Sequence, residues 1–582
     1  MINEHKSDRR GFFRAAAGAA ASLASGTFLA ETLRSQTQPA PAKAAAPSVR
    51  LANVRPYEEL NRLYSLESRE GKLDVTLQCL YSYHTINAQR VWLRTYNSAL
   101  VGPVISVRPG DTLNIRLVNN LPKSGTTACP DMDHKGMNNA PVGVDTTNLH
   151  MHGFHVSPSG HSDNVFVQVC PDGGCFDYKY EIPANHPTGT MWYHPHKHGS
   201  AAVQVANGMS GALIVRGPID DFYASKGIEE KILVFQQIPF SKKANGQYTS
   251  EWCDVNGCDG NPAPEPFTLI NGQLAPTIRL EAGKVYLWRM IHGGISETIP
   301  VSIVSQNGLG ANQPYYRVAV DGLTTGTVDK MTAVDLAPGN RNDILVKLTA
   351  GTYQLRKPAV PRSKALNQTQ TETAQVLATV IVAPSPADAP IPSAEDFQPF
   401  VPHLPSFDGN LPVRPLQMGY ADLPNYKGHW HFCTSATDCE PYNPDNPLLV
   451  VLGTSEQWQV LNTDSYLAHP FHIHVNPFKV EKIEYDEAWV KYYDDPRNKQ
   501  YNPITKVPIN PLEYVWRDTI LIYPCQKVTF NTKFEDFAGC FVMHCHILKH
   551  EDQGMMKQVE ILPSQGAKPD CGPMPEGCAP LK

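Results

Sequence analysis

Long apolar stretches are missing from this chain of 582 residues, and none reaches the roughly 18–20 residues that a membrane-spanning helix needs. Basic stretches interleaved with aromatic residues are also missing, and the net charge is −6, which disfavours nucleic acid as a partner. Long helical stretches are scarce because 50 prolines and 41 glycines are spread along the chain. Together these absences predict a soluble, β-rich protein of several domains.

The N-terminus carries a basic segment followed by a short apolar one. Arg9 and Arg10 precede two phenylalanines, and a mildly apolar stretch runs from Ala15 to Ala30. This order is typical of a twin-arginine export signal, with a Pro/Ala-rich linker up to residue 48. We therefore expect recognition by the twin-arginine export machinery and a periplasmic or extracellular location.

Thirteen cysteines in an exported chain should mostly form disulfides. Close spacing favours four pairs, which are Cys170/Cys175, Cys253/Cys258, Cys433/Cys439 and Cys571/Cys578. Two longer bridges would use Cys79, Cys129, Cys525 and Cys540. Although parity does not assign connectivity, it singles out Cys545, between two histidines, as a candidate free thiolate.

A repeat at domain length organises the chain. Pro103 and Gly110 align with Pro276 and Gly283 at a single offset, and each segment has two alternating strands around a turn. A third strand-rich block contains Gln457–Asn462 in the comparable place. We predict an all-β protein of three consecutive Greek-key sandwiches, with these segments: 1–48 signal and linker, 49–217 domain 1, 218–385 domain 2, 386–409 linker, 410–563 domain 3 and 564–582 tail.

His-x-His triplets are strongly over-represented. With 21 histidines, chance predicts about one triplet, and the chain has six. Residues i and i+2 of a strand point to one face, so each triplet offers two adjacent imidazoles. Four triplets stand in distinctive surroundings, whereas His429-Trp430-His431 is attributed to chance. If domains 1 and 3 pack together, eight imidazoles converge and suit three metal ions; they are His150, His152, His194, His196, His472, His474, His544 and His546.

A second set of metal-binding residue types surrounds Cys545. Its sulfur should project from the strand face opposite to His544 and His546. With His469, His550 and Met555, it has the composition of a blue-copper electron-transfer site. The sequence thus predicts one copper ion on one side of this strand and a copper cluster on the other.

These segments resemble the four copper motifs of multicopper oxidases, the laccase superfamily. They are His150–His155, Trp192–Gly199, His469–His474 and His544–Met555, and the repeats resemble cupredoxin domains. The resemblance implies four copper ions per chain: His469, Cys545, His550 and Met555 for type 1, and His150 and His472 for type 2. It assigns one type 3 ion to His152, His194 and His546, and the other to His196, His474 and His544.

The reaction implied is one-electron oxidation of an external reductant coupled to four-electron reduction of O2 to water. Glu551 matches a glutamate of bacterial members thought to relay protons, and Asp163 resembles an aspartate that follows the first motif, at a longer spacing. A solvated or structurally paired carboxylate is the alternative for both. The resemblance favours a small phenol or aromatic amine as the reductant. Tyr485, Tyr492, Tyr493 and Tyr501 either line a phenol pocket or, as we favour, pack as an ordinary loop.

Other functions remain open at this point. Oxidation of Mn(II), Fe(II) or bilirubin is the near alternative, while Cu(I) oxidation is disfavoured because the 13 methionines are scattered. Some relatives of this fold serve as copper-free exported scaffolds, but here every ligand position is filled. Copper nitrite reductases have two cupredoxin domains per chain and lack this set of four motifs. The sequence leaves the oligomeric state open.

Overall fold

Three β-sandwiches follow one another along the chain in a computed structural model, as the sequence predicts. The structure describes residues 58–123, 139–306, 310–361, 372–423, 426–435, 438–498 and 504–568, and also 571, 575, 577 and 578. The predicted signal and linker at residues 1–48 lie outside the described residues, as do Cys129 and Tyr501. Each sandwich has two sheets and its own buried apolar core.

The first sandwich is built from alternating strands. In the longest, every second side chain from residue 73 to 79 is buried, which is the pattern of a strand with one face on the core. The strands are β1 (Ser65–Glu67), β2 (Lys72–Ile86), β3 (Gln89–Tyr96), β4 (Val104–Val107), β5 (Thr112–Asn119), β6 (His150–His152), β7 (Gly174–Glu181), β8 (Gly189–His194) and β9 (Gly211–Val215). One sheet has the order β1-β4-β9-β8-β6.

The second sandwich follows with strands of the same kind. They are β10 (Glu229–Ile238), β11 (Ser241–Lys242), β12 (Tyr248–Thr249), β13 (Phe267–Ile270), β14 (Thr277–Glu281), β15 (Tyr286–His292), β16 (Ile299–Ser305), β17 (Tyr315–Val320), β18 (Leu323–Met331), β19 (Val334–Leu336), β20 (Arg341–Val346), β21 (Gly351–Lys357) and β22 (Gln375–Ala383). Its sheets are β13-β10-β15-β20-β17-β18 and β14-β22-β21-β16-β19. By contrast, β11 and β12 follow the predicted boundary at residue 217 but join the first sandwich, in the sheet β11-β12-β3-β2-β5-β7.

The third sandwich has seven strands in one sheet and five in the other. The strands are β23 (Val413–Leu423), β24 (Tyr426–Cys433), β25 (Cys439–Glu440), β26 (Leu448–Val451), β27 (Ser455–Asn462), β28 (His469–Ile473), β29 (Phe478–Tyr485), β30 (Trp516–Arg517), β31 (Thr519–Ile522), β32 (Gln526–Lys533), β33 (Gly539–Cys545) and β34 (Met556–Leu562). The sheet orders are β25-β24-β23-β27-β32-β29-β30 and β26-β34-β33-β28-β31.

Helices are short and connect the strands. They are α1 (Ala201–Ala206), α2 (Pro218–Ser225), α3 (Trp252–Asn256), α4 (Ala394–Phe397), α5 (Glu487–Asp494) and α6 (Leu548–Glu551), with 3₁₀ helices at Gln398–Phe400 and Pro511–Glu513. Among the described residues, no helix has both the length and the apolar character that crossing a membrane requires.

The repeat marks the point where the chain crosses from one sheet of a sandwich to the other. β4 and β5 belong to different sheets, as do β14 and β15, and β26 and β27. Gly110, Gly283 and Gly453 lie in the three connecting turns with φ of +89°, +73° and +81°. Because glycine adopts this left-handed conformation without steric cost, the repeated glycine is explained by the turn.

The disulfides differ from the sequence prediction. Cys253–Cys258 and Cys433–Cys439 form as expected, but Cys175 pairs with Cys578 and Cys540 pairs with Cys571. The predicted pairs Cys170/Cys175 and Cys571/Cys578 are therefore wrong, although Cys170 is itself disulfide-bonded. Cys79 and Cys525 are buried free thiols, so neither forms a longer bridge. The reason is spatial: the tail returns to the first and third sandwiches, where cysteines distant in sequence become neighbours.

Candidate metal centres

The predicted His-x-His triplets lie mainly on paired strands. In the first sandwich, β6 and β8 are antiparallel, and His150 lies opposite His194. In the third, β28 and β33 are antiparallel, and His472 lies opposite His544. Residues two apart on a strand share a face, so each strand pair presents several imidazoles to one side.

The two sets of imidazoles meet where the first and third sandwiches touch. The Nε2 atom of His196 lies 3.1 Å from those of both His474 and His544, and the latter two are 3.3 Å apart. His150 stacks on His474, and His152 on His472, each with ring centroids 3.8 Å apart. The structure thus brings together imidazoles separated by about 300 residues of sequence, as the sequence prediction requires.

The last set, His152, His194 and His546, is also compact. The ring centroids of His152 and His194 are 5.9 Å apart. The ring centroid of His546 lies 5.0 Å from that of His152 and 5.5 Å from that of His194. His150 and His472 have centroids 6.1 Å apart. All eight predicted imidazoles are therefore close neighbours in one buried cluster.

The chemistry of these nitrogens suits metal ions. The Nε2 atoms of His150, His152, His194 and His472 are buried and have no hydrogen-bond partner among the described residues. Nδ1 of His150, His194 and His472 faces a carboxylate or carbonyl oxygen, which only accepts, so Nδ1 carries the proton and Nε2 its lone pair. Burial, followed by the neighbouring imidazoles, holds the pKa of His150 well below its ordinary value, so the ring stays neutral. Neutral imidazoles with inward lone pairs fit Cu²⁺.

The sulfur site lies on the opposite side of β33. The Sγ atom of Cys545 is 3.5 Å from Nδ1 of His469 and 3.9 Å from Nδ1 of His550. Met555 is fully buried in the same apolar cluster as Cys545, and its carbonyl accepts a hydrogen bond from the Cys545 N–H at 3.0 Å. The Asp464 carboxylate accepts from Nε2 of His469, which leaves Nδ1 of that ring to face the sulfur. Two imidazole nitrogens and one thiol thus converge as predicted.

Both predicted acids lie against the histidine cluster. The Glu551 oxygens lie 3.0 Å from Nδ1 of His544 and 3.4 Å from Nδ1 of His196, yet neither oxygen has hydrogen-bond geometry with a described residue. Burial raises the pKa of Glu551 to about 7. Asp163 accepts from Nδ1 of His150 at 2.8 Å and from the Met151 N–H at 2.9 Å, and burial raises its pKa to about 8.

Histidines without a predicted ligand role have other contacts. His155 lies between the Val475 carbonyl and the Asp536 carboxylate, and so links the first and third sandwiches. His198 contacts Asn139 at 3.1 Å. These contacts account for His155 and His198 without a role as metal ligands.

Sequence reasoning missed two residues beside the metal centres. Trp430 stacks on His550 with ring centroids 3.7 Å apart, so the triplet attributed to chance carries a tryptophan that covers the sulfur site. Arg341, from the second sandwich, lies 3.1 Å from Nδ1 of His152. The sequence signal for Trp430 is its place within His429-Trp430-His431, but no motif indicates Arg341.

The described tyrosines of the long segment after β28 pack against one another. Tyr485, Tyr492 and Tyr493 belong to a small cluster with Trp489 and Val490 of α5. The Tyr485 hydroxyl donates to the Val507 carbonyl at 3.1 Å. The structure thus supports ordinary packing for these three residues.

Comparison with known proteins agrees with this architecture. Two family models, both described as multicopper oxidase, match residues 135–219 and 415–565, which include the four histidine motifs. Both matched regions are therefore multicopper oxidase domains. Together with the relatives described below, they support a copper-dependent oxidase that uses O2 as its electron acceptor.

Individual multicopper oxidases align over most of their length. The multicopper oxidase mco of Staphylococcus epidermidis is 26% identical over 86% of this chain and 88% of its own, and a laccase of Bacillus subtilis is 24% identical over 84% and 94%. Among solved structures, a Pediococcus acidilactici laccase has a TM-score of 0.65 at 20% identity, covering 88% of this chain and 95% of its own. A Campylobacter jejuni multicopper oxidase, described as a metallo-oxidase, has a TM-score of 0.63 at 23% identity, over 87% and 96%. These structures confirm the cupredoxin-like fold.

Proposed function

We propose that the chain binds four copper ions in two centres. The observation that carries this proposal is the end of strand β33: Cys545 faces two imidazoles on one side, while His544 and His546, the residue after the strand, face the cluster on the other. The type 1 ligands would be His469, Cys545, His550 and Met555. In the cluster, His150 and His472 would hold the type 2 ion. One type 3 ion would be held by His152, His194 and His546, and the other by His196, His474 and His544.

Copper held at these residues would supply one-electron acceptance at the sulfur site and four-electron reduction of O2 to water at the cluster. The protein's contribution is to hold the imidazoles in place and to keep the site dry. Asp163 accepts from Nδ1 of His150 and the Asp518 carbonyl faces Nδ1 of His472 at 2.9 Å, so both rings point Nε2 inward. Cys545 is joined directly to His544 and to His546, by one peptide bond on each side.

We assign different roles to the two acids. Glu551 is fully buried beside two imidazoles, and its oxygens make no hydrogen bond to a described residue, which suits a group that holds a proton for reduced oxygen. Asp163 has both oxygens engaged, by His150 and by the Met151 N–H. Its contacts favour orienting His150, and proton delivery by Asp163 is the alternative.

For the reductant we propose phenols or aromatic amines. The relatives include proteins named laccase, and the 13 methionines of this chain are scattered, whereas a Cu(I) oxidase would benefit from clustered thioethers. Oxidation of Mn(II) or Fe(II) is the second candidate, because one structural neighbour is described as a metallo-oxidase.

We further propose export by the twin-arginine route to the periplasm or beyond. The paired arginines Arg9 and Arg10 before an apolar stretch support this location. Four disulfides among the described residues also favour an oxidising compartment. Cellular fractionation of the wild-type chain and of an Arg9→Lys, Arg10→Lys variant tests the route: the variant should stay in the cytoplasm.

A copper count together with oxygen consumption tests the enzymatic proposal. The purified, copper-loaded chain should contain four copper ions and consume O2 with phenols and aromatic amines faster than with Mn(II), Fe(II) or Cu(I). Cys545→Ser is the matched control, because it should remove electron entry while leaving the cluster in place. Faster turnover with a metal ion would make the protein a metallo-oxidase, and a chain that binds no copper would be a scaffold.

A further inference from the structure

Both imidazoles of the sulfur site are hidden from solvent. His469 is 0% exposed and His550 is 4% exposed, so an aromatic reductant of ordinary size has almost no imidazole edge to contact. The Trp430 ring lies over His550 with centroids 3.7 Å apart and planes 18° apart. Its centroid is also 5.6 Å from that of His469. Among the described residues, the half-buried Trp430 is therefore the aromatic side chain that contacts both imidazoles.

Trp430 is paired with an exposed tyrosine. Tyr420 on β23 lies directly opposite Trp430 on β24, and the ring centroids are 4.8 Å apart. Tyr420 is 46% exposed and Trp430 is half-buried. Ring contacts thus run without a break from the exposed Tyr420 through Trp430 to His550.

A carboxylate fixes this arrangement to the sulfur site. Asp464 accepts from the Tyr420 N–H at 3.1 Å through one oxygen and from Nε2 of His469 through the other. Asp464 is 5% exposed, so its two hydrogen bonds are protected from water. The position of β23 is therefore coupled to the position of His469.

We propose that Tyr420 and Trp430 form the docking site for an aromatic reductant and that its electron enters through Trp430. The inference rests on the proposed type 1 copper at Cys545. Face and edge contacts with two aromatic rings suit a phenol or an aromatic amine, since offset and edge-to-face ring pairs are favourable. A hydrated metal ion gains nothing comparable from two neutral rings, so the site selects organic reductants.

The step balances as one electron and one proton. The O–H bond of the docked phenol breaks, its proton passes to solvent beside the exposed Tyr420 ring, and a phenoxyl radical leaves. The electron would cross Trp430 and His550 to the copper ion held by Cys545, which would pass from Cu(II) to Cu(I). Four such events supply the four electrons that convert O2 and four protons to two molecules of water.

Anaerobic reduction of the blue centre measures electron entry without the oxygen step. Trp430→Leu should slow reduction by a phenol at least tenfold at unchanged copper content, visible spectrum and potential, whereas Trp430→Phe should slow it less than threefold. Tyr420→Leu should raise the half-saturating phenol concentration. The control is Trp516→Leu, because Trp516 is also half-buried in the third sandwich but stacks on Phe407. A Trp430→Leu variant reduced as fast as the wild type would overturn the proposal.

Binding provides a readout independent of turnover. The copper-loaded chain, labelled with 5-fluorotryptophan and kept reduced under argon, can be titrated with 4-nitrophenol, a phenol that is hard to oxidise. The ¹⁹F resonance that disappears in Trp430→Phe should shift on titration, while the resonance that disappears in Trp516→Leu should stay. An unmoved Trp430 resonance at concentrations that inhibit phenol oxidation would place the docking site elsewhere. Should Trp430→Leu lose its copper, this measurement decides the question.

The two proposals fail differently. If phenols do not bleach the blue centre of the wild-type chain at all, the proposed substrate class is wrong. If they bleach it and the Trp430 and Tyr420 variants behave like the wild type, the substrate class stands and only the docking site is wrong.

Discussion

Arg341 and Asp518 form a buried ion pair between the second and third sandwiches, directly beside the histidine cluster. The guanidinium nitrogens lie 2.8 and 2.5 Å from the two carboxylate oxygens. One of those nitrogens is 3.1 Å from Nδ1 of His152, and Asp518 is 3.6 Å from Nδ1 of His472. The second sandwich supplies no predicted copper ligand, yet through this pair it supports two of them.

Removal of Arg341 should therefore destabilise both the fold and the cluster. Arg341→Leu leaves the Asp518 carboxylate buried without its main partner, a change that typically costs about 3–5 kcal/mol. We expect a lower thermal midpoint and loss of copper from the cluster, measured by scanning calorimetry and metal analysis. Arg116→Leu is the control, because Arg116 also forms a two-point pair, with Asp177, but at the partly exposed surface. Equal losses in the two variants would show that burial does not matter here.

The colour of the protein should depend on a single cysteine. A Cu(II)–thiolate bond absorbs visible light strongly, and Cys545 is the sulfur that faces both His469 and His550. Cys545→Ser should abolish the blue band and substrate oxidation while leaving the cluster largely loaded, as metal analysis and electron paramagnetic resonance would show. Cys525→Ser, which alters another buried free thiol, should stay blue. A blue Cys545→Ser variant would refute the type 1 assignment.

Met555 should tune the potential of the same centre. A weak axial donor stabilises Cu(II), so Met555→Leu should keep the blue band and raise the reduction potential in a redox titration. Met556→Leu is the matched control, because Met556 is equally hidden but packs in a different cluster, with Val165 and Tyr442. A shift in Met556→Leu alone would move the axial assignment by one residue.

Glu551 should matter for reoxidation and not for reduction. Gln has nearly the same shape but cannot deliver a proton, and general acid transfer is typically worth about 10²–10⁴-fold. Glu551→Gln should retain four copper ions and be reduced by substrate at the normal rate. Its reoxidation by O2, followed by rapid mixing, should slow at least tenfold.

A remote glutamate provides the control for that experiment. Glu456→Gln alters a carboxylate that is paired with Arg414, and we expect normal reoxidation from it. Unchanged reoxidation of a fully loaded Glu551→Gln variant would make Glu551 structural and would transfer the proton role to Asp163 or to water.

Spacing was sufficient to predict which residues approach one another along a strand. The alternation at His544, Cys545 and His546 places sulfur and imidazoles on opposite sides because side chains of a strand alternate. Spacing does not reveal that β28 pairs with β33 in a register that puts His472 opposite His544, since register depends on the whole sheet. The contact of His196 with His474 also depends on packing between sandwiches.

Residues that act through long-range contacts escaped prediction for the same reason. Arg341 lies in no motif, and its role follows only from the approach of β20 to the segment before β31. Trp430 was visible in the sequence, but its contact with His550 depends on how β23 and β24 pair and pack in the third sandwich. For the disulfides, nearness in sequence was a misleading guide, because Cys540 prefers Cys571 from the returning tail.

The bond between Cys175 and Cys578 has a consequence for the order of assembly. Its two cysteines are 403 residues apart in sequence, one in β7 of the first sandwich and the other in the C-terminal tail. The native partner of Cys175 therefore exists only after two further sandwiches and the tail have been synthesised. Because the proposed export precedes entry into an oxidising compartment, this bond would form on the complete chain. Formation of this bond thus requires that the tail already lies against the first sandwich, and the bond then holds these two parts of the chain together.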